Sequence, residues 1–141
     1  MTLEINPLSD TFGAEIRGID LSEPQSSATA KALRDAWHRH ILLLFRDQDL
    51  DDAALKQSAA WLGDAGKISM PVERRGDDDT SIALVSNILD EAGAPIGALG
   101  DGDMWFHHDN CFMAEPDKAT FLYAVELPSA APPKSDISAP P

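Results

Sequence analysis

The sequence predicts a mainly β domain with flanking helices, an α+β fold, and three observations lead to it. Several segments alternate apolar and polar residues at a period of two, as strands do, and glycine or proline separates them. Two other segments carry apolar residues three and four positions apart, which is typical of helices. The chain has 141 residues, 43% of them hydrophobic, which is enough for one soluble domain with a modest core.

The beginning of the chain predicts an extended region followed by a helix. Residues 3–21 alternate in polarity with Gly13 and Gly18 as turn points, and Pro24 interrupts the pattern. Residues 27–40 then repeat apolar side chains at helical spacing. The predicted apolar stripe of this helix is Ala28, Ala32 or Leu33, Ala36 and Trp37.

A short buried strand and a second helix are predicted next. The run over 41–45 is apolar throughout, which favours a buried strand. Asp49 or Asp51 can cap a helix that continues to about Leu62, and Gly63 is placed to end it. The predicted apolar stripe of this helix is Leu55, Ala59 and Leu62.

The rest of the chain predicts short strands joined by turns, followed by a tail. In order, the predicted elements are a loop over 64–80, a strand over 81–87, two strands around a tight turn at 91–93 within 88–98, an extended segment over 105–112 and a strand over 119–127. Residues 128–141 are almost wholly Pro, Ala and Ser, so they bury too little apolar surface to offset their ordering entropy. We therefore expect a folded region over 1–127 and a disordered tail over 128–141.

Charge and cysteine content limit the functional classes. The net charge of −13 argues against nucleic-acid binding, which needs clustered Lys and Arg. The longest apolar run, 41–45, is too short to span a bilayer, and the N-terminus has no signal core, so we expect a cytoplasmic protein without membrane association. The single cysteine, Cys111, allows neither an intrachain disulfide nor a Cys-based zinc site, and we expect it to be a small packed residue.

The segment WFHHDNCF, residues 105–112, carries the chemistry. In an extended segment His107 and Asp109 project to the same side and His108 to the other, so the imidazole of His107 and the carboxylate of Asp109 can meet one cation. Two imidazoles and one carboxylate form the facial set of non-haem Fe(II) oxygenases. A surface hydrogen bond between His107 and Asp109 is the alternative for such a short pattern.

The surrounding sequence resembles the TauD/TfdA family of Fe(II)- and 2-oxoglutarate-dependent dioxygenases from residue 3 to about residue 130. The matching segments, in order, are FGAEIRGIDLSEP, HRHILLLFRDQDL, LVSNI, PIGALGDGDMWFHHDNCF and KATFLYAVELPSA. The resemblance implies a double-stranded β-helix, a jelly-roll barrel of the clavaminate synthase-like kind. It also implies hydroxylation of an unactivated C–H bond of a small, often anionic substrate, coupled to decarboxylation of 2-oxoglutarate with O₂ as co-substrate.

The resemblance also assigns residues. His107 and Asp109 would be two of the three iron ligands. Trp105 would line the pocket or brace the ligand segment, with plain core packing as the equal alternative. Asn87 and the turn over 97–102 would contact substrate or cofactor. A cupin-like Zn²⁺ or Ni²⁺ protein is a third possibility, but cupins use several His in a shorter span than this sequence offers.

The third ligand that the resemblance implies, a second His more than about a hundred residues further on, is not in this sequence. Neither is the Arg that would follow it and pair with the distal carboxylate of 2-oxoglutarate. No His follows His108, and the sequence ends 32 residues after Asp109. His38 and His40 end the first helix, where they face unpaired carbonyls, and we do not expect either to be the missing ligand.

We therefore expect an N-terminal portion of the family's domain, with a jelly roll left incomplete because its C-terminal half is missing. The abrupt tail favours a frameshift or premature stop. Two functions remain open. The first is a dioxygenase by family, of which this chain is the N-terminal portion, inactive alone, with completion by another chain as one option. The second is a catalytically inactive remnant or interaction module. Exposed faces and strand edges favour self-association and a marginally stable chain.

Overall fold

The structure, a computed structural model, describes residues 2–63, 82–99 and 107–127. The predicted loop over 64–80 and the predicted tail over 128–141 lie outside these ranges, as does Trp105. Within them the chain forms two helices and five short strands. The elements are β1 (Glu4–Pro7), β2 (Ala14–Arg17), α1 (Ser27–His40), β3 (Leu43–Phe45), α2 (Asp52–Ala60), β4 (Val85–Ser86) and β5 (Ala98–Leu99).

The first three strands form one mixed sheet in the order β1-β2-β3. β1 and β2 are antiparallel and pair Ile5 with Ile16, while β2 and β3 are parallel and pair Ile16 with Phe45. The parallel pair is possible because α1 lies between β2 and β3 in the chain and carries it back to the same end of the sheet. The extended region predicted over 3–21 is thus a hairpin that forms one edge of this sheet.

Helix α1 packs on the sheet and supplies three of the seven buried apolar side chains among the described residues. Ser26 is its N-cap and accepts a hydrogen bond from the Thr29 amide at 3.1 Å. Leu33, 1% exposed, and Ala36 form the core cluster with Ile16 of β2. The predicted stripe is wrong at Ala28, which is exposed. Ala30 is buried in its place, because the face that meets β2 runs through positions 30, 33 and 36.

The strand predicted over 41–45 is shorter in the structure, because the chain turns between the end of α1 and the start of β3. Ile41 adopts φ 69° and ψ −39°, and the Leu42 amide donates to the His40 carbonyl at 2.8 Å, which together make a γ-turn of the rare positive-φ kind. Ile41 is 69% exposed and lies outside the strand. The strand β3 begins at Leu43, and its residues are half-buried, whereas a buried strand was predicted. The reason is geometric, since the chain must reverse at the helix end before it can pair with β2.

Helix α2 begins at the predicted cap, Asp51, whose carboxylate accepts from the Ala54 amide at 2.8 Å. It ends at Ala60, before Gly63, and the guanidinium of Arg34 in α1 donates to the carbonyl of Trp61 at 2.5 Å. The predicted stripe is half-buried, and the fully buried side chain is Ser58, whose hydroxyl donates to the Leu55 carbonyl at 2.9 Å. That bond satisfies a polar group that would be costly to bury alone.

The second sheet is much smaller than predicted. β4 and β5 are parallel and pair Val85 with Ala98 and Ser86 with Leu99, so the strand predicted over 81–87 is reduced to two residues. The tight turn is present: Gly93 has φ +80° and donates to the Asp90 carbonyl at 3.0 Å. The strands flanking this turn reduce to one antiparallel bridge between Leu89 and Pro95.

The strand predicted over 119–127 is wrong. These residues are irregular, and Leu122, Val125 and Leu127 are 80%, 85% and 74% exposed. A strand needs a neighbour for its backbone N–H and C=O groups, and no strand in the described ranges pairs with this segment. In the described residues the small mixed sheet and the two helices are consistent with part of the predicted fold. No helix in these ranges is long and apolar enough to cross a membrane.

Candidate metal centre

The side chains of His107 and Asp109 meet at the beginning of the last described segment. His107 Nε2 lies 3.0 Å from Asp109 Oδ1, which agrees with their predicted proximity and equally with the alternative of a surface hydrogen bond. The extended segment predicted over 105–112 ends at His108, and a turn begins at Asp109. Asn110 takes φ +52°, a conformation that Asn tolerates better than most residues, and the Cys111 amide donates to the His108 carbonyl at 3.3 Å. The turn lets the chain double back toward residue 120.

The second oxygen of the Asp109 carboxylate has its own partner. The hydroxyl of Thr120 donates a short hydrogen bond to Asp109 Oδ2 at 2.5 Å. The Thr120 hydroxyl, and more weakly His107, lower the pKa of Asp109, while partial burial opposes them. Asp109 is therefore held as an anion, which is the form that binds a cation.

The pair lies open to solvent. The His107 side chain is 49% exposed and that of Asp109 is 44% exposed. In such surroundings an ion pair alone contributes little to stability, typically under about 1 kcal/mol. Its arrangement therefore has no evident role in holding the fold together.

One tyrosine joins this segment to the N-terminal part of the chain. The hydroxyl of Tyr123 accepts from the Leu50 amide at 3.2 Å and donates to the Gln48 carbonyl at 3.3 Å. The side chain of Gln48 in turn accepts from the Leu21 amide at 2.8 Å and donates to the Arg46 carbonyl at 2.9 Å. The residues around Gln48 thus form an ordered platform on which Tyr123 rests.

Of the other predicted site residues, Asn87 and the first part of the 97–102 turn lie within the described ranges. Asn87 is exposed directly after β4, and His108 is exposed beside the pair. Cys111 is exposed, which corrects the expectation of a packed residue, because the turn at 109–112 carries its side chain away from any core. Trp105 lies outside the described residues, and roles for it and for Asn87 stay predictions. Within the described ranges no three His, Cys, Asp or Glu residues cluster as a metal site would require.

The pair nevertheless fits two ligands of one octahedral ion. With metal–ligand bonds of about 2.1 Å, two adjacent positions of an octahedron lie about 3.0 Å apart. The observed separation of Nε2 and Oδ1 is 3.0 Å. One imidazole and one carboxylate also match the donor types that non-haem iron takes.

Comparison with known proteins decides the family. The profile of the taurine catabolism dioxygenase TauD, TfdA family matches residues 4–131. The chain belongs to the TauD/TfdA family. This confirms the resemblance stated for residues 3 to about 130.

Relatives within the TauD/TfdA family include two characterised in bacteria. An alpha-ketoglutarate-dependent sulfate ester dioxygenase of Pseudomonas putida is 33% identical over 132 residues, which are 92% of this chain and 40% of that protein. Pentalenolactone F synthase of Streptomyces avermitilis is 32% identical over 118 residues, 83% of this chain and 38% of that protein. The chain thus spans about two fifths of the length of the curated relatives it matches.

A solved structure shows the same fold relationship. A Burkholderia xenovorans protein assigned as an alpha-ketoglutarate-dependent taurine dioxygenase superposes with a TM-score of 0.56 and 26% sequence identity. The superposition covers 64% of this chain and 32% of that one. This part of the chain therefore shares its fold with part of a TauD-like structure.

Sequence reasoning missed two residues of the candidate site, Thr120 and Tyr123. Both lie in the segment predicted as a strand, KATFLYAVELPSA, for which the resemblance assigns no residue roles. The one signal for Tyr123 is a polar aromatic within an apolar run, since a buried tyrosine hydroxyl usually finds a partner. Thr120 gives no signal of its own, because its contact with Asp109 depends on the turn at 109–112.

Proposed function

We propose that this chain carries the metal-binding motif of a non-haem Fe(II)- and 2-oxoglutarate-dependent dioxygenase, with His107 and Asp109 as two of the iron ligands. The observation that carries the proposal is the 3.0 Å approach of His107 Nε2 to Asp109 Oδ1 in a TauD/TfdA family member. TauD-family dioxygenases use Fe(II) and 2-oxoglutarate. When bound, the iron with 2-oxoglutarate and O₂ supplies the oxidising power for hydroxylating a C–H bond.

The chain's own residues would bind and orient. His107 would present Nε2 with its lone pair, which requires that nitrogen to be deprotonated. Asp109, held as an anion by Thr120, would offset part of the positive charge of the ion. Tyr123 would hold the segment that contains Thr120 against the N-terminal platform.

The third ligand and the 2-oxoglutarate carboxylate partner would come from polypeptide beyond these 141 residues, either in the same protein or in a complementing chain. Within the sequence, the basic residues after His108 are Lys118 and Lys134, and neither has the bidentate geometry of Arg. The complete domain would then be the double-stranded β-helix that the family predicts. The exposed apolar side chains at Leu122 and Val125 would be covered by its remaining strands.

The substrate we propose is a small organic molecule, often anionic in this family. The sulfate ester dioxygenase of P. putida acts on one such class, and it is the relative that covers the largest share of this chain among those described here. Asn87 and Trp105 are proposed to contact the substrate or cofactor. The net charge of −13 gives no support to a nucleic-acid substrate.

The proposal is tested by anaerobic titration of the purified chain with Fe(II) and 2-oxoglutarate. The readout is the weak visible charge-transfer band that forms when 2-oxoglutarate chelates iron. We expect the band when the chain is combined with a separately expressed C-terminal half of a relative that supplies the missing ligand, and its loss in His107→Ala and Asp109→Ala. His108→Ala is the matched control, because it removes the adjacent, exposed imidazole and should leave the band unchanged.

Two results would contradict the proposal. A band that persists in His107→Ala would show that iron binds elsewhere. No band in a soluble, folded chain, even after a separately expressed C-terminal half of a relative is added, would favour the second reading, a catalytically inactive remnant or interaction module.

A further inference from the structure

The two oxygens of the Asp109 carboxylate are not equivalent. Oδ1 lies 3.0 Å from His107 Nε2, while Oδ2 accepts the Thr120 hydroxyl at 2.5 Å. A carboxylate can bind an ion through one oxygen or through both, and its coordination mode depends on what else holds it. Here one oxygen faces the candidate ligand partner and the other faces a protein donor.

The segment that carries Thr120 is anchored at a place outside the turn that contains Asp109. Three residues later, the Tyr123 hydroxyl bonds to the backbone of Leu50 and Gln48. The turn after Asp109 is closed separately, since the Asn110 side-chain amide donates to Asp117 at 2.6 Å. The hydroxyl of Thr120 is thus presented from a segment that has its own anchor.

We propose that Thr120 is a positioning residue for the metal ligand Asp109, holding Oδ2 so that Oδ1 alone is offered beside His107 Nε2. The inference rests on the proposed function and adds a residue that the H-x-D motif does not contain. Asp109 then binds through one oxygen, which leaves neighbouring coordination positions open for a chelating co-substrate and O₂.

The alternative is that Thr120 only fastens the loop between residues 109 and 120. Both roles predict some loss of order when the hydroxyl is removed. They differ in coordination, because only a positioning role changes how many carboxylate oxygens reach the ion. Without the Thr120 hydroxyl, Oδ2 is released and the carboxylate can rotate or chelate through both oxygens.

The test uses Co(II) as the probe metal, because it takes the same nitrogen and oxygen ligands as Fe(II) and its visible spectrum reports coordination number. The dissociation constant and the spectrum are measured for the full chain, Thr120→Val and Thr120→Ser. Thr11→Val is the matched control, an exposed threonine in the β1–β2 turn whose hydroxyl contacts Ser9. Far-UV circular dichroism checks the fold of each variant.

We expect Thr120→Val to weaken Co(II) binding by about 10-fold to 100-fold, as loss of a residue that orients a ligand usually does, and to alter the spectrum. Thr120→Ser, which keeps the hydroxyl, and Thr11→Val should match the unmodified chain. If Thr120→Val is unfolded, Thr120→Ala against Thr120→Ser replaces it, a pair that differs by one hydroxyl.

The outcomes separate the two proposals. Co(II) binding that is lost in His107→Ala but unchanged in Thr120→Val would overturn the role of Thr120 and leave the proposed metal site standing. Weakened binding with an unchanged spectrum, not rescued by Thr120→Ser, would also overturn it, because that pattern belongs to a loop fastener. No Co(II) binding by the unmodified chain, either alone or with the separately expressed C-terminal half of a relative, would overturn both.

Discussion

The N-terminal region, residues 2–63, and the C-terminal region, residues 82–99 and 107–127, are organised in opposite ways. The first has two helices, a three-stranded sheet and a core around Leu33. The second has two strands of two residues each, and its large apolar side chains are mostly exposed. Yet the candidate metal ligands, His107 and Asp109, lie in the second region.

The difference follows from where each element finds its partner. In the N-terminal region the strands pair with neighbours in the chain, and the helix between them covers the sheet. In the C-terminal region the apolar segments have no described neighbour to cover them. Short-range pairing can be completed locally, whereas a β-sandwich or barrel strand needs partners that are distant in sequence. The site therefore depends on a few side-chain hydrogen bonds instead of a core.

The largest effect is expected from removing core volume in the N-terminal region. Leu33→Ala should lower the free energy of unfolding by about 2–5 kcal/mol, because it leaves a cavity between α1 and β2. Leu122→Ala makes the same change at a side chain that is 80% exposed, and it should shift stability by less than about 0.5 kcal/mol. Denaturant titration followed by far-UV circular dichroism measures both. If both substitutions lowered the free energy of unfolding equally, Leu122 would be packed in a core as Leu33 is, and the two regions would share that core.

Replacing one glycine in each region by alanine compares the two regions through a smaller expected loss of stability, confined to one turn in each. Gly18 and Gly93 both have positive φ, so alanine at either costs about 1–2 kcal/mol in backbone strain. A Cβ at position 18 would lie 2.0 Å from the carbonyl oxygen of Thr2, whereas one at position 93 meets open space. Gly18→Ala should therefore cost more than Gly93→Ala, because the backbone at Thr2, just before β1, must also move. The same denaturant titration measures the difference, and a larger cost at position 93 would contradict the contact at Thr2.

Much of the N-terminal region is predictable from sequence because its signals are local. Ser26 and Asp51 cap helices whose apolar periodicity is clear, and α1 has the predicted bounds. The error at Ile41 arises because an apolar run does not show where a chain must turn. The stripe of α1 is correct at Leu33 and Ala36 and wrong at Ala28, because an alanine-rich helix offers several apolar positions of similar size near its start.

The C-terminal region could be predicted only in part. The sequence correctly predicts that the side chains of His107 and Asp109 lie close together. Residues two positions apart are only a few ångströms apart in space, so this contact is local. The strand over 119–127 was wrong because its composition favours a strand, but pairing requires a partner. Thr120 and Tyr123 could not be found because their contacts join residues 11 and about 75 positions apart.

The smallest expected effect concerns the link between the two regions. Tyr123→Phe keeps the ring and removes the hydroxyl that bonds to Leu50 and Gln48, so it should cost about 0.5–1.5 kcal/mol. The loss should be local, since the core around Leu33 does not use this contact. We expect faster trypsin cleavage after Lys118, with cleavage after Arg34 in α1 unchanged as the internal reference, and faster hydrogen exchange at the Leu50 amide.

A second variant separates the hydroxyl from the ring. Tyr123→Leu removes both, so if the hydrogen bonds hold the segment, Tyr123→Phe should already show most of the faster cleavage after Lys118. Cleavage that rises only in Tyr123→Leu would assign the anchoring to ring packing and remove the platform at Gln48 from the account. Faster cleavage after both Lys118 and Arg34 in Tyr123→Phe would mean that the two regions unfold together. The regions would then differ in how exposed their apolar side chains are, but not in stability.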